Sequence, residues 1–421
     1  MDGSGDLGNL VAAFFEGRED IIANPYPLYT RLRAAAPVFK HQHMYLVLRH
    51  DDVAALIRDE RLGSRDHNRV PSALALVDDP ADRAVVQEWG DFLITFLAGT
   101  DEPDHMRRRM FQQHGFLPKQ LDDVKQYTQD TMDGLLGRAA AKGSFDFFEE
   151  VAHVLPSQVI AHMLGVPEQD MDRVRDWTGA AGYVMGLGYQ RVPEVREQLD
   201  AYRQYVVDHI ERRRGGPHRD DLLGILLAAE EQGDKLTPAE LTVTFFNLIF
   251  SGHESTATAI VAGMHALLRH PEQWRLLCAD PDLAYQATEE VLRYVSPVQS
   301  ITRYARVDVD LDGGRIPAGS TVKLMLGSAN HDEKHFPDPD RLDITREDTK
   351  SLVFGRGPHF CMGNALARLE AATALGTVAR RFPEIELRGD RVRWRENPLM
   401  HRPRELWVSV PGVPAVAGAL R

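Results

Sequence analysis

Only two cysteines occur in the 421 residues, Cys278 and Cys361. The second stands in FGRGPHFCMG, Phe354 to Gly363, behind two glycines, a proline and a histidine. An irregular segment gives way there to the apolar run CMGNALARLEAATALGTVARRF. Glycines let a loop bring backbone N–H groups close to the sulfur. A cysteine at the start of a helix also meets free N–H groups and the positive end of the dipole. Both features lower a thiol pKa, so the setting suits a thiolate. A thiolate held in this way is either a nucleophile or a metal ligand.

No second cysteine lies at the spacing of a zinc site. A cysteine hydrolase needs a paired histidine, and His359, two residues away, is poorly placed to activate the sulfur. One thiolate as the sole protein ligand suits haem iron. Taken alone, a lone cysteine is more often a small buried hydrophobe. The surrounding elements must decide.

A second chemically unusual stretch is SGHEST, Ser251 to Thr256. It interrupts the best-punctuated helix in the chain. Thr237-Pro238-Ala239-Glu240 supplies an N-cap, a proline at the first helical position and a capping-box glutamate. The apolar pattern then runs to about Arg269, before His270-Pro271. That is about 32 residues, or roughly 48 Å of helix. Gly252 costs such a helix roughly 1 kcal/mol. Glu254 is a carboxylate in an otherwise buried segment, which is costly unless paired. Two readings fit: a core helix whose Ser and Thr bond back to their own turn, or a kinked helix lining a cavity with an acid and hydroxyls.

The remaining elements are mostly helical. NPYPLYTRLRAAAPVF reads as a short helix, Met44–Arg49 as a strand, and VAALIRDE as a helix capped by Asp51 or Asp52. Residues 63 to 100 look irregular, as functional loops do. Helical periodicity holds from Pro103 to about Pro297, with a Gly-rich break at Gly182–Tyr189 and a surface loop around RRGGPHRDD. From Val307 the pattern turns β-like, and so does the end, ELWVSVP. The expectation is a mainly α protein with small β-sheets, in which portions around 38–50, 305–326 and 384–410 belong to a single intertwined domain over 1–421.

Composition narrows the class. At 43% hydrophobic and 26% charged residues the chain is globular, and a net charge of −13 argues against nucleic acid as a general partner. Two cysteines favour a reducing cytoplasm over a disulfide framework. The N-terminus lacks the basic region of a signal peptide, and no apolar run approaches the roughly 20 residues of a membrane span.

Several motifs in order carry a resemblance over nearly the whole chain. Phe354-Gly-x-Gly-x-His359-x-Cys361-x-Gly363 resembles the haem-binding signature of the cytochrome P-450 family, and SGHEST its oxygen-activating segment. Glu290-Val-Leu-Arg293 resembles the family's Glu-x-x-Arg motif, and Arg341 in PDPDRLD matches the arginine that joins that pair. His105-x-x-x-Arg109 resembles the helix that grips a haem propionate. Arg303 in ITRYA and His359 take positions with the same task, and Phe354 that of the aromatic beside the thiolate. Singly, each pattern has an ordinary structural explanation, such as a helical ion pair for Glu290 and Arg293.

The resemblance implies the soluble bacterial type of that fold, with haem b between the long central helix and the helix after the Cys loop. It implies Cys361 as axial thiolate, Gly363 beside it, and His105, Arg109, Arg303 and His359 on the propionates. Glu254 and the adjacent hydroxyls of Ser255 and Thr256 would relay protons. Ser255 departs from the threonine usual at its position and loses the methyl that restricts χ1. The implied reaction uses O2 and two electrons to hydroxylate or epoxidise a small hydrophobic organic molecule, in secondary metabolism such as antibiotic formation. Oxidative coupling, desaturation or peroxide-driven oxidation is the alternative, and a non-catalytic haem carrier a distant one. Electrons would come from ferredoxin and ferredoxin reductase, docking near Arg107, Arg108 and Arg356. The protein would act as a cytoplasmic monomer, without membrane or nucleic acid. Substrate contacts would come from residues 63–100, Gly182–Tyr189, Pro297–Ile301 and Met400.

Overall fold

The structure, a computed structural model, describes residues 3–217, 219, 221–231, 236–389 and 392–412. Parts of two expected features, the loop around His218 and the β portion at Asp390 and Arg391, lie outside the described residues. Helices dominate. The longest runs from Pro238 to Arg269, with the bounds its punctuation predicts. Thr237 Oγ1 accepts from the Glu240 N–H at 3.2 Å, and a Glu240 carboxylate oxygen accepts from the Thr237 N–H at 2.9 Å. This central helix is buried along most of its length and packs against the helices Val154–Leu164, Ala284–Val295 and Asn364–Arg381. Gly252 permits one of these contacts: a Cβ there would lie 2.8 Å from the Ile160 side chain. The loss in helix propensity is the cost of close packing.

Ten short strands are described: β1 (Val38–His41), β2 (Met44–Val47), β3 (Leu62–Gly63), β4 (Ser144–Asp146), β5 (Ile301–Ala305), β6 (Val309–Leu311), β7 (Gly314–Ile316), β8 (Thr321–Leu324), β9 (Glu386–Leu387) and β10 (Trp407–Ser409). A five-stranded sheet has the order β1-β2-β8-β5-β3, a second has β4-β10-β9, and β6 pairs with β7. The three expected β portions are present. The pairing also recruits β3 and β4, two pieces too short to show alternation in sequence. Sheet partners come from opposite ends of the chain: Val408 pairs with Phe145 and Tyr45 with Val322.

Two regions differ from expectation. Residues 63–100 contain the helices Arg69–Leu74 and Pro80–Leu93. The second is capped by Asp79 and buries Val85, Val86, Trp89 and Leu93, one stripe at helical spacing. The helix Met171–Leu187 runs through most of the expected Gly-rich break and ends only at Gly188, whose φ of 104° excludes other residues. Packing of the helix outweighs the low propensity of Gly179, Gly182 and Gly186. No helix among the described residues is long and apolar enough to cross a membrane.

Glu290 and Arg293, both wholly buried, form a two-pronged pair with N–O distances of 2.8 Å. Arg341 does not complete it. Its side chain is 65% exposed and among the described residues reaches only Asp343, at 3.6 Å, while its carbonyl turns inward to Arg293. The third member is Arg346, whose Nε lies 3.2 Å from Glu290. Spacing along an irregular segment does not tell which of two arginines turns inward. Arg346→Ala is expected to lower stability by about 2 kcal/mol by stripping a buried carboxylate of a partner, whereas Arg341→Ala stays within about 0.5 kcal/mol. Equal losses in parallel chemical denaturation would restore Arg341 to the pair.

Candidate active site

The Cys361 loop is shaped by Gly355 and Gly357, with φ of 67° and 74°. These left-handed residues fold the chain back so that the Cys361 N–H donates to the Phe354 carbonyl at 3.0 Å. The Phe360 carbonyl accepts from Arg109 Nη2 at 2.6 Å, and the Cys361 carbonyl from Asn364 Nδ2 at 2.8 Å. The Arg368 guanidinium lies 4.3 Å above the Phe354 ring. Sulfur, aromatic ring and cation are therefore held together.

Burial pushes the Cys361 thiol up, opposed by the Gly363 N–H and the Arg109 and Arg368 guanidiniums. This reverses the direction expected from sequence. The following helix starts at Asn364, with Gly363 as its cap, so Cys361 lies short of the first turn. A coordinated metal, by contrast, deprotonates a thiol outright.

Cys361 lines a cavity of about 350 Å3. Met362, Gly363 and Leu366 form the same wall, and Leu248, Ser251, Gly252, Ser255, Thr256 and Ala259 of the central helix form another. The latter six recur at helical spacing, so one stripe faces the cavity. Ser255 Oγ donates to the Ser251 carbonyl at 3.2 Å and Ser251 Oγ to that of Asn247 at 2.7 Å. Both sequence readings of this segment thus hold in part: the serines bond back, and they line a cavity.

Glu254 belongs to neither. At about 100° per residue it points away from the Gly252–Ser255–Ala259 stripe. It is 2% exposed and lies 3.3 Å from Arg395 Nη1. Although burial opposes ionisation, Arg395, Arg402, His253 and His153 together hold its carboxyl down at about 2. The expectation of an acid on the cavity wall is corrected accordingly. Of the expected substrate stretches, Ala98, Pro297, Val298 and Ile301 line the cavity; Met400 instead bridges to Val298.

At the cavity's edge, the His105 and His359 rings lie against each other with centroids 3.8 Å apart, tilted by 33°. His105 Nδ1 is 3.0 Å from Glu102, but its Nε2 is buried without a partner among the described residues. His359 Nε2 is 2.8 Å from Ser64 Oγ. Burial, with Arg303 and His105 nearby, pushes His359 down to about 3. Arg303 is buried, donates only to its neighbour's carbonyl (Thr302, 2.9 Å) among the described bonds, and is lowered to about 10 by burial. An electropositive rim around an apolar cavity calls for a flat apolar group with anionic arms.

The model of the cytochrome P450 family matches residues 180–277 and 282–406. The chain belongs to that family. It is 35% identical over 393 residues to the cytochrome P450 monooxygenase PikC of Streptomyces venezuelae, covering 91% of this chain and 90% of that protein. It is 31% identical to the polyketide biosynthesis cytochrome P450 PksS of Bacillus subtilis, covering 92% and 96%. Among solved structures, epothilone D-bound cytochrome P450epoK superposes with a TM-score of 0.85 at 30% identity, covering 93% of this chain and 98% of that one.

The protein is thus a cytochrome P450 monooxygenase with the P450 fold, and the family implies haem iron. The residues present fit that group. The partnerless His105 Nε2 and the buried Arg303 guanidinium supply donors for its carboxylates, and the Cys361 and Ser255 walls enclose an apolar slot. Sequence reasoning did not find Arg368, seven residues after Cys361, or Ser64. The first had a signal, an arginine one turn into the helix that follows the cysteine. Ser64 had none, being brought to His359 by the sheet through β3.

Proposed function

We propose that this cytochrome P450 uses haem b, ligated by the Cys361 thiolate, to insert one oxygen atom of O2 into a small, fairly hydrophobic molecule of secondary metabolism. One observation carries the reading: Cys361 and the Ser255–Thr256 hydroxyl stripe line one and the same apolar cavity. When bound, thiolate-ligated haem supplies reductive activation of O2 with two electrons. The chain's own residues do the rest. His105, Arg109, Arg303 and His359 hold the carboxylates by charge-assisted bonds. Phe354 and Arg368 shield the sulfur, Gly363 donates its N–H to it, and Arg109 also braces the loop. Ser255 and Thr256 present hydroxyls to the cavity, and Glu254 holds the proton-exchanging carboxylate behind them. PksS and P450epoK support polyketide-like substrates by analogy.

The test is the optical spectrum of the dithionite-reduced protein under carbon monoxide. A strongly red-shifted Soret band is expected; a normally placed band would remove the thiolate and with it this reading. With a substrate in hand, labelled O2 separates oxygen insertion from coupling or desaturation, since only insertion leaves label in the product.

Ser255 carries a prediction of its own. Its hydroxyl lacks the methyl that would restrict χ1, so the donor is less tightly aimed. Ser255→Thr is expected to raise product formed per NADH by about twofold, on the scale of one rotamer preference. Unchanged coupling in a product-to-NADH titration would show that the methyl is irrelevant.

A ferredoxin with its reductase is the proposed electron source, the whole chain acting as one cytoplasmic, monomeric domain. The docking surface needs correction. Arg108 is 4% exposed, and Arg107 is tied to Asp104 and Glu240. Arg356 remains, with exposed Arg58 packed on neighbouring Gly357. Arg356→Glu is expected to slow reduction by ferredoxin several-fold at low salt, with the difference shrinking as salt rises. A rate unaffected by Arg356→Glu in stopped-flow reduction would place the docking face elsewhere.

A further inference from the structure

On the side of the central helix turned away from the cavity lies a second cluster of titratable groups. His153, between the π turn Phe148–Ala152 and the helix Val154–Leu164, joins His253 and Glu254, with their polar atoms within 4.8 Å of one another. The two imidazoles stack at 5.1 Å, 28° from parallel. His253 is wholly buried; the Ile249 carbonyl one turn back faces its ring, but among the described residues neither ring nitrogen makes a well-formed hydrogen bond, and neither does His153 Nε2. Buried polar atoms nearly always have one. Three unpaired nitrogens next to a carboxylate point either to a bound cation or to protons in transit.

Charge and geometry decide between the two. Glu254 already has Arg395 at 3.3 Å and Arg402 close by. Arg402 is itself buried, over the Phe148 ring at 3.8 Å. A divalent cation would add two positive charges to a buried cluster already rich in guanidinium. Nearly parallel rings also cannot both aim in-plane lone pairs at one ion. Protons in transit add no divalent charge to the cluster, and they can pass between the two ring edges through an intervening water, which stacked rings allow.

We propose that His153 and His253 deliver protons to Glu254 from the side of the central helix opposite the cavity. The proposal rests on the reading of Glu254 as a proton-exchanging group of this monooxygenase. Half-buried His153 is the outer end, His253 the middle and Glu254 the inner end. In each transfer an imidazole accepts a proton on one nitrogen while releasing one from the other, so no electrons move and no net charge accumulates. The ring then resets its tautomer. This requires neutral rings, which can accept and donate at once. Burial supplies them, lowering His253 to about 4 and His153 to about 2. Glu254 opposes that shift in both rings, while Arg175 and Arg402 reinforce it. His253 also lowers His153. Glu149 stands at the edge, with Asp146, Asp176, Arg175 and Arg402 facing it. The two histidines are positioning residues, acting through Glu254.

The experiment measures O2 consumption by the holoenzyme with excess pre-reduced ferredoxin, in H2O and D2O, for wild type, His153→Gln, His253→Gln, Glu254→Gln and the double variant His253→Gln/Glu254→Gln. Each single variant is expected to slow consumption by about 10-fold or more and to enlarge the solvent isotope effect, with the carbon monoxide band intact. The double variant is expected to be no slower than Glu254→Gln, because both lie on one path. The 15N NMR signals of His253 in the diamagnetic reduced carbon monoxide complex are expected to show a neutral ring at pH 6, perturbed by Glu254→Gln. Multiplying effects in the double variant would overturn the relay. So would a slow Glu254→Gln beside unaffected histidine variants, which would leave Glu254's role standing. A Glu254→Gln enzyme with wild-type rate and isotope effect would instead remove Glu254 from proton delivery altogether, and the relay with it. Should His253→Gln lose the carbon monoxide band, His153→Gln, at the outer and less buried end, carries the same test.

Discussion

Cys361→His is expected to bind haem and yet to lose both the red-shifted carbon monoxide band and monooxygenase turnover. A neutral imidazole cannot donate electron density as a thiolate does, and that donation favours O–O cleavage. Changes to groups that merely orient a metal ligand cost about 10- to 100-fold, so replacement of the ligand itself should exceed about 100-fold. The loop should tolerate the change. Its shape comes from Gly355, Gly357 and the Phe354 carbonyl, and the Cys361 side chain adds only the bond from the Gly363 N–H. Spectrum and turnover are read on the same sample. A variant that kept the red-shifted band would show that the thiolate is not Cys361.

Arg293→Ala is expected to lower stability by about 3–5 kcal/mol, since it leaves a buried carboxylate short of its main partner. That is a large share of the roughly 5–15 kcal/mol by which a domain is stable. The damage should reach the haem. Arg293 Nη1 donates to the Asn330 carbonyl at 2.9 Å, and Asn330 Oδ1 accepts from the Leu352 N–H at 2.8 Å. The Leu352 carbonyl in turn accepts from the Gly355 N–H, also at 2.8 Å, in the Cys loop. Three linked bonds thus connect the pair to the loop. Haem occupancy should fall in parallel with the denaturation midpoint. Glu290→Gln/Arg293→Met, which removes both charges, is expected to be less damaging than Arg293→Met alone. An Arg293→Ala protein with wild-type midpoint and full haem content would show that the buried pair is dispensable.

What the amino-acid sequence determined by itself was whatever depends on neighbours along the chain. The central helix ends where Thr237-Pro238-Ala239-Glu240 and His270-Pro271 say it must, because capping is local chemistry. The Cys361 loop, the Glu290–Arg293 pair and the His105–Arg109 helix were legible for the same reason: each is a short motif whose spacing reflects one turn or one loop. The cluster at the cavity's edge could be named from the family resemblance, residue by residue.

Tertiary structure alone decided where side chains face once elements pack. It chose Arg346 over Arg341 beside Glu290, two arginines on one irregular segment of which only one turns inward. It set Glu254 and its neighbour His253 against His153, Arg395 and Arg402, partners far along the chain that no local pattern links. It raised the Cys361 thiol by burial, an effect of every surrounding element and not of its own loop. It also made helices of 69–74 and 80–93, where packing supplied the stability that propensity did not. Local sequence fixes turns, caps and periodicity; burial and charge pairing are sums over the whole fold, and only the fold reveals them.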